Sequence, residues 1–230
     1  MARAPHTLQQ ALSKLRAFAS EENRAGMARF GIATDNALGV SMRNIRAVGR
    51  QIVHDHELAQ ALWDSGFHEA RILASVVDKP EWVTARQMDR WVAGFNSWDL
   101  CDQVCGNLFD RSQLAAEKIE EWAADEREFV RRAAFAMIAW QAVHDKQSGK
   151  DNLAKWLGLI RAHSADPRNY VKKAVNWALR QIGKSRADLH PACLALARDL
   201  AQSDDKTQRW IGKDAVKELQ SEAVRGRLGV

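Results

Sequence analysis

In Phe129-Val130-Arg131-Arg132-Ala133-Ala134-Phe135, apolar, basic and alanine residues follow one another in an order that recurs along the chain, and this recurrence indicates the fold. Apolar residues return at helical spacing nearly throughout, and no convincing run alternates with a period of two, which predicts an all-α chain. The order recurs in three other segments, the last of them weaker: His68-Glu69-Ala70-Arg71-Ile72-Leu73-Ala74, Tyr170-Val171-Lys172-Lys173-Ala174-Val175-Asn176 and Trp210-Ile211-Gly212-Lys213-Asp214-Ala215-Val216.

The spacing of these segments indicates a repeat. Aligned on one basic residue each, they fall at Arg71, Arg132, Lys173 and Lys213, so the last two intervals are nearly equal and the first is longer. Intervals of roughly this length are typical of the two-helix units that stack into HEAT or armadillo solenoids. The longer first interval leaves room for one additional helix. We therefore predict an α-solenoid of HEAT-like repeats, in a single domain over residues 1–230.

The recurring basic residue predicts a basic concave face, because the second helix of each unit lines the concave side of a solenoid. The net charge is +5 in residues 1–50, −6 in residues 51–167 and +6 in residues 168–230, which fits a polyanion held at both flanks. Alternatively, each basic side chain only extends from its own helix into solvent. The cations predicted to follow successive phosphates of a nucleic acid are Arg71, Arg131, Arg132, Lys172, Lys173 and Lys213.

Local signals predict where the helices begin and end. Thr7 is placed to cap a first helix that carries Leu8, Leu12, Leu15 and Phe18, and residues 31–40 are predicted to form a loop. Between later breaks we expect helices of about ten to eighteen residues. These breaks fall at Asp64-Ser65-Gly66, Lys79-Pro80, Gln147-Ser148-Gly149, Asp166-Pro167 and Ser203-Asp204-Asp205.

Trp98 and Asp102 form the candidate chemical site, since residues four apart share one helical face. An indole beside a carboxylate can receive a cation, either bound or developing in a transition state. Trp177 follows Lys173 by four residues, so a second indole lies one turn from a phosphate-type contact. The alternative is that both indoles pack in the core, while Asp102 caps a helix or faces solvent.

Several classes of site are not indicated by the sequence. The three cysteines, Cys101, Cys105 and Cys193, give no disulfide framework and are predicted to be buried thiols. No cluster has the spacing of metal ligands, and no glycine-rich loop has a nucleotide-binding pattern, so we expect neither metal nor cofactor. No signal peptide or membrane-length apolar run is visible, and we expect a cytoplasmic monomer that does not enter a membrane.

Three motifs, taken in order, resemble DNA alkylation-repair glycosylases of the AlkD type: Asn96-Ser97-Trp98-Asp99-Leu100-Cys101-Asp102, Val130-Arg131-Arg132-Ala133-Ala134-Phe135 and Lys172-Lys173-Ala174-Val175-Asn176-Trp177-Ala178-Leu179-Arg180. The resemblance covers roughly residues 8–219. It implies a HEAT-like solenoid that holds duplex DNA and excises purines alkylated at N3 or N7. It also implies that Asp102 is the catalytic carboxylate and that Trp98 and Trp177 are aromatic walls beside the lesion. Arg132, or its neighbour Arg131, would contact the DNA backbone.

The chemistry of such a reaction fits the residues present. A purine alkylated at N3 or N7 is already cationic, so it leaves as a neutral base without protonation. One carboxylate can stabilise the positive charge that grows on the deoxyribose and also position a water. Two alternatives stay open: a non-catalytic binder of distorted or branched DNA, and a protein-binding scaffold anchored by Trp98 and Trp177. A carboxylate facing phosphates weakens binding, so Asp102 favours the enzyme.

Overall fold

A computed structural model of the chain describes residues 6–144 and 150–229. In these ranges the regular structure consists of α-helices and two short 3-10 turns, without strands, which confirms the all-α prediction. None of the described helices is both long and apolar enough to cross a membrane. The chain divides into two compact units, Met1–Leu114 and Ala115–Val230. The single-domain organisation stays a prediction, and the predicted break at Gln147-Ser148-Gly149 lies outside the described residues.

Over residues 6–114, the first unit contains seven short α-helices. Helices α3, α5 and α7 pack side by side, and α4 pairs with α5. The indole of Trp91 on α6 stacks on that of Trp63 on α4, with ring centroids 4.4 Å apart. Short 3-10 turns, Pro80–Trp82 and Phe109–Arg111, follow α5 and α7. The helices are α1 (Leu8–Arg16), α2 (Glu21–Arg29), α3 (Met42–Gly49), α4 (His56–Asp64), α5 (His68–Val77), α6 (Ala85–Ala93) and α7 (Trp98–Asn107).

Local sequence accounts for the beginning of this unit. The side chain of Thr7 accepts a hydrogen bond from the backbone N–H of Gln10, and the side-chain oxygen of Gln10 accepts one from the backbone N–H of Thr7. The predicted cap of α1 is therefore confirmed. The helix ends at Arg16, however, and Phe18, which was predicted to lie on it, falls beyond its end with 42% of its surface exposed. The interval of residues 31–40 contains no helix, as predicted.

The loop over residues 31–40 is held by one buried carboxylate. Glu69 on α5 is fully buried and accepts the backbone N–H groups of Leu38, Gly39 and Val40 at 2.7–3.1 Å. Gly39 has a φ of +75°, and a Cβ added there would lie 2.0 Å from the carbonyl oxygen of Ser20. Only glycine fits this approach. The loop is therefore an ordered part of the first unit.

The second unit has the two-layer packing of helical repeats. Helices α9, α11 and α13 pack in succession on one side, and α8, α10 and α12 on the other. Consecutive helices pair across the layers, and α14 packs on α11 and α13. This arrangement confirms HEAT-like repeats, whereas a basic concave face stays a prediction. The helices are α8 (Ala115–Ala124), α9 (Glu128–His144), α10 (Lys150–His163), α11 (Asn169–Ser185), α12 (His190–Ala201), α13 (Lys206–Leu219) and α14 (Glu222–Leu228).

The repeat is shorter in the first half of the chain than the sequence predicts. Helices α5, α7 and α9 begin at His68, Trp98 and Glu128, so the two intervals between them are equal. The prediction of one additional helix between Arg71 and Arg132 is therefore wrong, because both α6 and α7 lie there. A whole helix pair fits into each of these shorter intervals because the helices of the first unit have only eight to ten residues.

The recurring basic residue joins the two helices of a repeat. Counted from the helix starts, Arg71 corresponds to Arg131 and not to Arg132, since each is the fourth residue of its helix. The Nε of Arg71 donates to the carbonyl of Trp63 at the end of α4, and that of Arg131 to the carbonyl of Ala123 at the end of α8. Arg209, fourth in α13, donates to the carbonyl of Ser203, just beyond α12. These bonds go to carbonyls at or just beyond a helix end, where the regular pattern of helical hydrogen bonds stops.

Candidate nucleic-acid interface and active site

Trp98 and Asp102 are the first and fifth residues of α7 and lie on one face of it, as the spacing predicts. Both are half-buried, in contrast to core indoles such as Trp91, which is fully buried. The Nε1 of Trp98 donates to the carbonyl of Phe30, just beyond α2, at 3.0 Å. Phe30 itself is 72% exposed. The Trp98 indole is thus fixed at the surface of the first unit.

The first turn of α7 is tied to α5 by a chain of hydrogen bonds. His68 donates from Nε2 to Asp99 Oδ2 at 2.8 Å, and Ser97 donates from its hydroxyl to Asp99 Oδ1 at the same distance. Burial raises the pKa of Asp99, but the hydrogen bonds from His68 and Ser97 and the charge of His68 lower it more, so it lies below its usual value. Asp99 is therefore an ionised anchor next to Trp98.

The buried side of α7 carries two thiols. Cys101 and Cys105 are fully buried, as the sequence predicts. Burial raises the pKa of Cys105 well above its ordinary value, and the neighbouring Cys101 and the charge of Asp102 raise it further. A thiol of this kind is not a nucleophile at neutral pH. Burial also raises the pKa of Cys193 in the second unit, to about 12.

The second unit contains an aromatic pair that the sequence reasoning only half identified. Trp177 on α11 is half-buried, and its ring centroid lies 5.6 Å from that of Trp140 on α9, edge to face at 84°. Trp140 in turn stacks on His144 at 5.2 Å. The sequence reasoning missed Trp140, although it follows Arg132 by eight residues and so lies near the same helical face.

The predicted cations of the second unit fall into two groups. Lys173 and Lys213 are exposed, and the Nζ of Lys172 lies 5.5 Å from the ring of Trp210. Arg132, by contrast, is only 5% exposed and donates from Nη1 to the carbonyl of Tyr170 at 2.7 Å. The lysines are therefore placed to meet solvent or a ligand, whereas Arg132 has a partner inside its own unit.

Arg131 is likewise engaged within the second unit. Besides its bond to the end of α8, it pairs with Asp166 at 2.7 Å, and only 5% of the Asp166 side chain is exposed. Burial raises the pKa of Asp166, but hydrogen bonds from Arg168 and Arg131 lower it more, to about 2. In the first unit, Arg71 bonds the carbonyl of Gly94 as well as that of Trp63. Both arginines therefore join helices.

The predicted site residues lie together in two places, one in each unit. Trp98 and Asp102 share α7 in the first unit, and Lys173 and Trp177 share α11 in the second. Among the described residues, no three or more His, Cys, Asp or Glu side chains are grouped to hold a metal ion. The first unit thus carries the carboxylate, and the second carries exposed lysines and paired indoles.

Comparison with known proteins places these features in a family. A family model described as DNA alkylation repair enzyme matches residues 11–219. The fold also matches that of a protein from a new family related to the HEAT-like repeat DNA glycosylases, with affinity for branched DNA structures; the TM-score is 0.82 at 21% identity, over 97% of both chains. A protein of Streptococcus mutans UA159 matches with a TM-score of 0.57 at 20% identity, over 91% of this chain and 98% of that one. No curated protein gives a sequence match.

Proposed function

Because the chain belongs to the DNA alkylation repair enzyme family, we propose that it is a DNA glycosylase for purines alkylated at N3 or N7. The observation that carries this proposal is the placement of Trp98 and Asp102 on one half-buried face of α7. A carboxylate beside a fixed indole suits a reaction whose transition state is cationic. The proposed substrate is duplex DNA, bound by one copy of the chain in the cytoplasm.

Asp102 is proposed to stabilise the sugar as the base departs. The C1′–N bond breaks, its electron pair leaves with the cationic purine, and the purine becomes neutral. Positive charge then grows on the deoxyribose, and the Asp102 carboxylate offsets it while directing a water to C1′. No group has to protonate the leaving base, so the reaction needs neither a paired acid nor a metal ion.

Trp98 is proposed to hold the cationic base by the face of its indole, beside Asp102 in the first unit. Trp98 suits this role because its Nε1 is tied to Phe30, which fixes the plane of the ring. Trp177 would contact the DNA from the second unit, where its edge-to-face packing with Trp140 limits its rotation. Such fixed aromatic surfaces cost little entropy when a ligand binds.

The exposed lysines are the favoured phosphate contacts. Lys173 and Lys213 are exposed on α11 and α13, and Lys172 extends beside Trp210. Arg71, Arg131 and Arg132 remain candidates for DNA contact, as the sequence predicts, but each already donates to a carbonyl within its unit. We propose that these arginines hold the helices that present the lysines.

Release of free base is the direct test. The purified protein is incubated with methylated duplex DNA, without metal or nucleotide, and the released bases are separated by chromatography. We expect 7-methylguanine or 3-methyladenine above the spontaneous rate, and no uracil from a duplex that contains a U·G pair, because uracil is a neutral base. Uracil release, or no release of either methylated base, would contradict the proposal.

A second candidate function is non-catalytic binding of branched DNA. It is favoured by the match to the protein with affinity for branched DNA structures. This function predicts tighter binding of a four-way junction than of a methylated duplex with the same flanking sequence, and no base release. Measuring both affinities beside the release assay separates the two functions.

A further inference from the structure

A basic hollow of about 550 Å³ opens in the first unit, away from the first turn of α7. It lies where α3, α5 and α7 end, and residues from all three ends line it. We propose that this hollow binds a phosphate group of the DNA backbone. The side chains that carry the proposal are Arg46, Arg50, Lys79 and Arg111, with His54 beside them.

Two of these cations have no partner within the part of the chain that the structure describes. Arg46 and Arg50 lie one turn apart on and just after α3, and both are exposed. Neither guanidinium forms a hydrogen bond or an ion pair with a described residue. Like charges one turn apart repel each other, so an anion bound between them would remove that cost. A guanidinium pair is also the side-chain chemistry best matched to phosphate oxygens.

The two carboxylates that line the hollow form no ion pair with Arg46 or Arg50. Asp78 is buried, and its oxygens already accept bonds from His56, Gln87 and the backbone N–H of Lys79. Glu81 is exposed and lies 3.7 Å from the Nζ of Lys79, at the outer limit of an ion pair.

The other two lining cations are partly engaged. Arg111 bonds the carbonyl of Asn107, and its Nε lies 3.8 Å from the buried Asp110. Arg46 and Arg50 therefore supply most of the uncompensated positive charge. The helix dipole favours a cation at the C-terminal end of each of these helices. It does not require four cations to converge on one hollow.

The position of the hollow relative to Asp102 selects DNA as the source of the phosphate. Asp102 and Asn107 lie on the same helix, five residues apart, which is about 7.5 Å along its axis. This separation is of the order of the spacing between neighbouring nucleotides, so a strand whose path follows α7 would reach both places. A strand with its damaged sugar at Asp102 would bring a nearby phosphate to the hollow. This step rests on the proposed function, because only a substrate at Asp102 fixes the register.

The test compares two double variants of equal charge change. Arg46→Gln with Arg50→Gln alters the hollow, and Arg86→Gln with Arg198→Gln alters exposed arginines on α6 and α12. The affinity for an undamaged duplex is measured from low to moderate salt, with thermal melts to confirm folding. We expect the salt slope of the first variant to fall by about one unit, at about 0.9 per phosphate contact, and that of the second by less than half a unit.

Further outcomes distinguish DNA from free phosphate as the ligand of the hollow. They also distinguish failure of this site from failure of the proposed glycosylase activity. An equal loss of slope in both variants would overturn the site, since net charge alone would explain it. Binding of inorganic phosphate, lost in the first variant while its DNA slope stays unchanged, would assign the hollow to free phosphate and overturn the DNA source. The salt slope needs no base excision, so absence of glycosylase activity does not affect this measurement.

Discussion

The two units hold their candidate residues in different ways. In the first unit, the helices have eight to ten residues and are held together by buried polar groups. Glu69 on α5 binds the loop over residues 31–40, and His68 on α5 binds Asp99 on α7. In the second, helices of up to seventeen residues carry the Trp140–Trp177 pair, and an ion pair such as Arg180–Glu218 is partly exposed, although Arg132 and Asp166 are buried. Short helices are marginal on their own, so the first unit depends more on its polar contacts. The carboxylate thus sits in the polar-tied half.

Loss of the Glu69 charge should produce the largest difference in stability. We expect Glu69→Gln to lower the free energy of unfolding by about 3 kcal/mol, because an amide nitrogen would then face backbone N–H groups in the interior. The matched change in the second unit is Glu218→Gln, where Arg180 and Lys184 are partly solvated, and should cost less than about 1 kcal/mol. Urea unfolding measures both, and equal costs would break the contrast between the units.

In the second unit, substitution of Arg132 should affect stability, whereas substitution of Lys173 should affect DNA binding. Arg132→Ala is expected to cost about 2 kcal/mol of stability, because it leaves the carbonyl of Tyr170 without its buried donor. Lys173→Ala should leave the melting temperature unchanged and lower the DNA salt slope by about one unit. Thermal melts and salt titrations decide this; a stable Arg132→Ala with a reduced slope would return Arg132 to the DNA interface.

Lowering the pH should reduce the stabilisation provided by one carboxylate in each unit, Asp166 in the second and Asp99 in the first. The pKa of Asp166 is about 2 in the folded protein and about 4 when unfolded, so its stabilisation is complete above pH 4 and is lost as the pH falls towards 2. Asp166→Asn should therefore cost about 1–2 kcal/mol at pH 6 and little at pH 2. The pKa of Asp99 is also lowered, so the stability cost of Asp99→Asn should likewise shrink as the pH falls. Denaturant unfolding at several pH values tests this, and a cost that grows on acidification would contradict it.

His68 should act on catalysis through position alone. We expect His68→Ala to slow single-turnover excision about tenfold without changing the affinity for DNA, because the first turn of α7 loses its tie to α5. His68→Gln keeps a donor nitrogen near the same place and should recover most of the rate. Failure of the glutamine to recover it, with both variants folded, would remove the positioning role.

Local features of the fold were predictable from the sequence, whereas register was not. Thr7 and the loop over residues 31–40 are set by neighbouring residues, and both were confirmed. The alignment on Arg132 was wrong by one position, because the repeat counts from helix starts that the pattern alone does not reveal. The joining role of Arg131 depends on a carbonyl at the end of another helix, which no spacing rule describes.

The candidate site was predictable only in part, for a similar reason. Trp98 and Asp102 are neighbours along one helix, so their spacing was enough to pair them. Trp140 pairs with Trp177 across two helices that are far apart in the sequence. The basic hollow gathers Arg46, Lys79 and Arg111 from three separate helix ends. Contacts of this kind arise from packing, which the order of residues does not display.

The central claim is that the Asp102 carboxylate stabilises the charge that grows on the sugar. The most direct measurement compares single-turnover release of 7-methylguanine by the wild type, Asp102→Asn and the control Asp204→Asn, an exposed loop residue, with the affinity for the same duplex measured in parallel. We expect Asp102→Asn to lose at least about 100-fold in rate with its affinity kept, and Asp204→Asn to match the wild type. Undiminished release by Asp102→Asn would contradict the central claim.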